Sequence, residues 1–183
     1  TPGTGANTTA FSGNGGDFAY VGARWGGTNY KILGNGTVST IVKGEGENTH
    51  IMFAPEAPEI LFQDYGIGKL ENGVAIIKID PIFSKNVIVD EKHPLKVFIQ
   101  LEGECNGVYV TNKSAESFTV KELQQGNNNI SFSYQIIASR IDRRDSDGNI
   151  ASKNQDVRFP IAPKSIDRND LKTKNNELAK REV

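Results

Sequence analysis

The chain of 183 residues holds one cysteine, one methionine, one tryptophan and two histidines. A lone Cys105 rules out an internal disulfide and supplies no thiol set for a structural zinc site. It stands in Leu101-Glu-Gly-Glu-Cys-Asn-Gly107, where two nearby acids disfavour the thiolate a nucleophile needs. Cys105 therefore reads as a small, half-buried residue near a turn. His50 has no second histidine or acid cluster at ligand spacing, which points to a surface or edge position rather than a metal ligand. His93 lies in Asp90-Glu-Lys-His-Pro94, which reads as a solvated turn with His93 held extended by the proline after it. No Gly-x-Ser-x-Gly elbow nominates a nucleophilic serine.

Long apolar runs are missing too. None approaches the roughly 18 residues of a membrane-spanning helix, so no membrane span is expected. Neither sign of charge dominates: the net charge is −1. The charges are nevertheless segregated. Residues 44–138 carry seven bases and thirteen acids, and residues 139–183 carry eleven bases and eight acids. An acidic middle and a mixed tail are poor material for a phosphate-binding surface, so no nucleic-acid partner is expected. The chain does not begin with methionine, and the expectation is a fragment or a processed product.

Glycine is abundant and unevenly placed. Twelve of the 19 glycines lie in the first 46 residues, between short apolar pieces such as Phe18-Ala-Tyr-Val21 and Tyr30-Lys-Ile-Leu33. Short strands separated by glycine corners suit the end of a β-solenoid or fibre shaft over residues 1–43. The aromatics Phe11, Phe18, Tyr20, Trp25 and Tyr30 argue against a bare linker, because they need something to pack on. Gly13, Gly15 and Gly16 lack the preceding strand and following helix of a phosphate loop.

Two-residue periodicity then takes over. Thr37–Lys43 and Thr49–Phe53 form an expected hairpin across Gly44-Glu-Gly-Glu-Asn48. Asn72-Gly73 marks a second hairpin turn, between Gly68-Lys-Leu70 and Val74–Asp80. Pro81–Lys85 suits one helical turn. Leu95–Leu101 alternates less cleanly and reads as a central strand buried on both faces. Asn86–Asp90, Val108–Thr111, Ser117–Leu123 and Ile130–Ala138 complete the strands. In Asp142-Arg-Arg-Asp-Ser-Asp-Gly-Asn149 the acids look like part of a calcium loop, but Arg143 stands at the first ligand position and no closing glutamate follows, so a hairpin turn is expected. Helical periodicity is nearly absent before residue 164. Beyond it Leu171 and Leu178 lie one heptad apart in a charged tail, which reads either as a short helix or as a frayed end. The fold class is all-β: an antiparallel β-sandwich or barrel-like domain over residues 44–163, preceded by the glycine-rich segment and followed by the tail 164–183.

One stretch concentrates candidate chemistry: Ile51-Met-Phe-Ala-Pro-Glu-Ala-Pro-Glu-Ile-Leu-Phe-Gln-Asp-Tyr-Gly66. Glu56, Glu59 and Asp64 could supply a carboxylate pair of the glycosidase type. No Arg, His or Ser partner lies in the segment, and carboxylates beside prolines are ordinary loop content. The alternative to a structural role is thus a carbohydrate-active or self-cleaving enzyme using these acids. A third reading is a monomeric sugar-binding module with Trp25 and Tyr30 as an aromatic platform. No catalytic residue, cofactor or metal is expected.

The longest blocks carry a resemblance. Thr28-Asn-Tyr-Lys-Ile-Leu-Gly34, Val38-Ser-Thr-Ile-Val-Lys43, Met52–Gly66, Ile79-Asp-Pro-Ile-Phe83 with Lys85-Asn86, Asp90–Gly103, Gly107-Val-Tyr-Val-Thr-Asn-Lys113 and Asp156-Val-Arg-Phe-Pro160 are spread along the chain from Thr28 to Pro163. This region resembles the C-terminal domain of long, repeat-rich bacterial fibre-like proteins of the tail-fibre or surface-repeat kind. The resemblance implies a terminal module on an extended, extracellular or cell-surface fibre, or on the fibre of a phage-like particle. It implies a homo-oligomer, a trimer or larger, that caps its shaft and contacts a cell-surface glycan or protein. It implies no catalytic residues, and no Ser-Lys dyad of the self-cleaving phage-fibre type matches. On this reading the stretch around Pro55 and Pro58 is the junction where the shaft's pairing stops.

Overall fold

A computed structural model describes residues 9–12 and 18–163. The Gly13-Gly15-Gly16 segment and the tail 164–183 lie outside the described residues. The chain forms two compact units, residues 57–159 and the flanking pieces 1–56 with 160–183. The turn at 44–48, where the sequence suggests that the globular part begins, lies inside the flanking unit. Every named strand pair is antiparallel.

The flanking unit contains a meander of three strands, β1 (Thr9–Ser12), β2 (Phe18–Trp25) and β3 (Thr28–Gly34), in that order. Gly26 and Gly27 turn β2 into β3 with φ of 56° and 88°, a conformation that costs glycine nothing. Tyr20 and Ala23 are buried, and Tyr20 meets Phe18 edge to face at 5.6 Å. The expected hairpin follows as β4 (Ser39–Lys43) and β5 (Thr49–Phe53), paired Ile41 to Ile51 and Thr40 to Met52. Alternation puts Ile41, Ile51 and Phe53 on one face and Met52 on the other. All four are between 59 and 74 % exposed.

The unit 57–159 builds its core between two sheets. One has the order β10 (Val108–Thr111), β11 (Ser117–Glu122), β7 (Val74–Lys78). The other is centred on the long strand β12 (Ser131–Arg140), with β6 (Leu61–Lys69) along one edge. Along the opposite edge run β8 (Val87–Ile88) and β9 (Lys96–Leu101). Both sheets stay open, and no closed barrel forms among the described residues. Phe118, Val120 and Ala75 come from the first sheet, Phe132, Ile136 and Ala138 from the second, and Leu70, Ile79, Val87 and Leu95 from the margins. Phe118, Phe132, Leu70, Leu95, Ile136 and Val120 are the largest fully buried side chains, and each contributes about 1.5–3 kcal/mol by leaving water. Phe118 and Tyr134 pack edge to face at 5.3 Å.

Two expectations need correction. Asn72-Gly73 does form its turn, with φ of 50° and 77° and with Glu71 and Val74 exchanging backbone hydrogen bonds of 2.9 and 3.2 Å. The strands it joins are not ladder partners beyond that one bridge: β6 pairs with β12, and β7 pairs with β11. The reason is Leu70. It is fully buried in the core at the point where the chain leaves one sheet for the other. The second correction concerns β9, which is not buried on both faces. Val97, Ile99 and Leu101 pack on the core, while Phe98 is 56 % exposed and Lys96 also opens to solvent. The aromatic Phe98 hid an ordinary in–out alternation.

The single helical turn is α1 (Pro81–Ser84), capped by the Asp80 carboxylate, which accepts the Ile82 N–H at 2.6 Å. After β12 the chain makes a small hairpin, β13 (Arg143–Arg144) with β14 (Ile150–Ser152). Asp145 accepts the N–H groups of Asp147 and Asn149 at 3.0 and 2.9 Å, so its carboxylate serves the turn.

Candidate functional site

The residues singled out from the sequence do not converge. Glu56 is exposed at the end of the segment 1–56 of the flanking unit. Glu59 and Asp64 both belong to the unit 57–159, but Glu59 forms an isolated antiparallel bridge to Arg158 and Asp64 lies on β6. Five residues of extended chain separate backbones by about 16 Å. Asp64 is paired with Ile136 and accepts the Tyr65 N–H at 2.8 Å. Its charge, after burial, helps hold the Tyr134 hydroxyl above its ordinary pKa. In the other unit, Trp25 and Tyr30 share one face of the β2–β3 ribbon through the pairs Trp25–Thr28 and Ala23–Tyr30. Both are half-buried, and the Trp25 indole donates to the Ile161 carbonyl at 2.6 Å. The polar edge of that indole is committed within its own unit.

A different site assembles around Glu59. The unit 57–159 begins and ends at one place: the Phe159 N–H donates to the Pro58 carbonyl at 3.0 Å, beside the Glu59–Arg158 bridge. The Arg158 guanidinium donates to Glu59 Oε1, and Lys96 Nζ stands 3.5 Å from Glu59 Oε2. Next to this pair, Lys92 donates to Asp156 Oδ1. His93 is only 9 % exposed. Its Nδ1 lies 2.9 Å from Asp90 Oδ1 and its Nε2 lies 3.3 Å from Asp156 Oδ1. The His93 N–H also donates to Asp90 at 2.7 Å. The segment 90–94 is an exposed turn at Asp90, Glu91, Lys92 and Pro94, as expected, and the correction concerns His93 alone, which is buried between the Asp90 and Asp156 carboxylates. The bond from the His93 backbone holds the Asp90 carboxyl below its ordinary pKa. The Lys92 ammonium does the same for Asp156, and Asp156 raises Lys92 in return.

These groups surround a cavity of about 360 Å³ that includes Pro94, Ser139, Gln155 and Val157 in its lining. That volume is within the usual range for small-ligand pockets, roughly 300–1,000 Å³. Ser139 is buried there. Its alternation along β12 places it on the same, outward side of the sheet as Ser133, Gln135 and Ile137. Lys96 and Phe98 on β9 and Gln63 and Tyr65 on β6 share that side through the register. Tyr65, Gln135 and Phe98 form one row across three strands; Gln63, Ile137 and Lys96 form the next. Gln135 Nε2 donates to Gln63 Oε1 at 3.2 Å and to Tyr65 Oη at 3.4 Å. Tyr65 is 62 % exposed. The cavity therefore closes one end of an open sheet face carrying aromatic rings and amides.

Sequence reasoning missed Lys92, Lys96, Ser139, Asp156 and Arg158. The local Asp90-x-x-His93 turn was legible. Its partner Asp156 comes from 63 residues further on, a distance that no spacing rule bridges. Cys105 is half-buried and accepts the Gly107 N–H at 3.3 Å, as a small turn residue does. Among the described residues no three His, Cys, Asp or Glu side chains gather as a metal site, and no helix is long and apolar enough to cross a membrane. Comparisons with protein-family models, with curated proteins and with solved structures found no match.

Proposed function

We propose that the protein is a structural and adhesive terminal module of an extracellular, homo-oligomeric fibre, a trimer or larger, which caps the shaft and presents a ligand-binding surface. The observation that carries this reading is the β4–β5 hairpin. Ile41, Ile51, Met52 and Phe53 leave apolar side chains on both of its faces in water. A two-stranded hairpin is marginal by itself, and a third strand or a packed face is what stabilises it. Copies of the same chain around a symmetry axis would cover those faces and the open strand edges together. The resemblance to fibre-terminal domains points the same way.

Light scattering on the purified chain tests this. The expected mass is three or more times the 20.0 kDa of one chain. Ile41→Lys combined with Ile51→Lys should give monomers while the unit 57–159 keeps its unfolding transition. A native chain that remains a 20.0 kDa monomer at high concentration would sink the proposal.

A further inference from the structure

We propose that the outward face of the β6–β12–β9 sheet and the cavity at its end form one binding site for a glycan that terminates in a single carboxylated sugar. This names the ligand of the terminal module described above and rests on that reading.

The argument begins with charge. Lys92, Lys96 and Arg158 bring three cations to the cavity, against the carboxylates of Glu59 and Asp156. Glu59 Oε1 and Oε2 serve Arg158 and Lys96, and one oxygen of Asp156, Oδ1, serves both Lys92 and His93. Lysine and arginine carry three and five N–H donors, so these contacts leave donors to spare. A ligand that completes the cavity must accept hydrogen bonds and bring one negative charge. A carboxylate does both, and its planar oxygens match the fork of Arg158. A phosphate dianion would bring a second charge toward the Glu59 and Asp156 carboxylates.

The open face supplies the rest. Pro94 and Val157 give the cavity an apolar wall. Beyond Lys96, Phe98 and Tyr65 offer exposed rings about 10 Å apart across Gln135, the separation of two neighbouring inter-strand spacings. Rings accept the C–H faces of sugars, and the amides of Gln63 and Gln135 bond their hydroxyls. That combination of apolar rings with a few placed polar groups suits a saccharide.

The test is a titration followed by ¹H–¹⁵N spectra. The probes are a trisaccharide ending in glucuronate, the same trisaccharide ending in glucose, and inorganic phosphate. The acidic sugar should shift the amides of Lys92, His93, Asp156, Arg158 and Phe98, and bind about tenfold or more tightly than the neutral one. Lys96→Gln and Arg158→Gln should each remove most of that preference, while Tyr65→Ala and Phe98→Ala weaken both sugars alike. Arg158→Lys, which keeps the charge and loses the fork, should fall between, and unchanged spectra elsewhere certify each variant as folded. Equal binding of the two sugars, phosphate binding as tightly as the acidic sugar, or folded Gln variants of unchanged preference would overturn the proposal. A monomeric mass combined with this binding pattern removes the fibre reading alone; an oligomer that ignores the acidic sugar removes the site alone.

Discussion

Gly66 and Gly68 on β6 face Tyr134 and Phe132 across the ladder to β12. A methyl group at Gly68 would fall well inside contact distance of the Phe132 ring and 2.9 Å from Ile77 Cδ1. Neither glycine has a positive φ, so the backbone itself would accept alanine. Two effects then oppose each other. Removing a flexible glycine from a strand stabilises by about 0.5–1 kcal/mol. Overfilling a packed core costs about 1–3 kcal/mol. The cost should win for Gly68→Ala, because Phe132 is fully buried and its ring cannot bend away. The expected net loss is about 1–2 kcal/mol, and for a unit of this size each kcal/mol lowers the midpoint by about 4–8 °C. Gly66→Ala should cost less, since the half-buried Tyr134 can tilt toward solvent.

Thermal unfolding followed by near-ultraviolet circular dichroism reads this directly. Gly68→Ala should melt below the parent by about 5–15 °C, with Gly66→Ala between them. Phe132→Leu shortens the obstructing ring, so the double variant should lose less than the sum of the two single losses, by about 0.5–3 kcal/mol of coupling. Gly68→Ala melting at or above the parent would refute the reasoning, for it would mean that no ring lies over that glycine.

Other outcomes follow from the same structure. Leu95→Ala empties a fully buried position and should cost about 2–5 kcal/mol by chemical denaturation. Glu122 accepts from Asn106 N, Asn106 Nδ2, Asn128 N and Asn128 Nδ2 at 2.9, 3.1, 2.9 and 2.7 Å, so Glu122→Ala should free both loops and raise amide exchange across residues 105–107 and 126–129. Asp90, Asp156 and Glu122 all have folded pKa values below their ordinary ones, led respectively by bonds from the His93 backbone, the Lys92 ammonium and the Asn106 backbone. Depressed carboxyls stabilise fully above the unfolded value, about 4, and lose that contribution as pH falls through the folded value. The melting temperature should hold from neutral pH to about 5 and then decline toward pH 2, and a flat profile would refute these assignments. Gln125 sits at φ 56° without being glycine, so Gln125→Gly should relieve strain and leave stability unchanged or slightly raised.

The strands were legible because alternation needs only neighbours. Thr49–Phe53, Ser117–Glu122 and Ser131–Arg140 all lie where the two-residue period of β-branched and aromatic residues put them. The partners were less legible. Asn72-Gly73 dictated a turn, and turn chemistry says nothing about which sheet each flanking strand then joins. Phe98 misled for a related reason: an exposed aromatic scores as core until the register shows it beside Gln135. The candidate site was the least legible part. It needs Glu59, His93, Ser139 and Arg158, four positions brought together by an entering strand, a corner, the central strand and the departing segment. Sequence spacing carries no trace of that convergence.

The same convergence ties binding to stability. Glu59 and Arg158 close the unit where its chain enters and leaves, and they also line the cavity. Side-chain ion pairs this exposed contribute little by themselves in water. A carboxylate placed between Lys96 and Arg158 would add acceptors to a donor-rich group and hold the departing segment against the sheet. Ligand bound to the folded state alone stabilises it by RT ln(1 + [L]/Kd), about 1.4 kcal/mol at ten times Kd. The acidic trisaccharide should therefore raise the midpoint of the parent and leave that of Arg158→Gln nearly still. Amide exchange should slow most at residues 155–159, because Asp156 and Arg158 are tied to the rest of the lining by exposed pairs to Lys92 and Glu59. Slowing spread evenly over β12 instead would mean that the ligand binds the sheet face without engaging the closure.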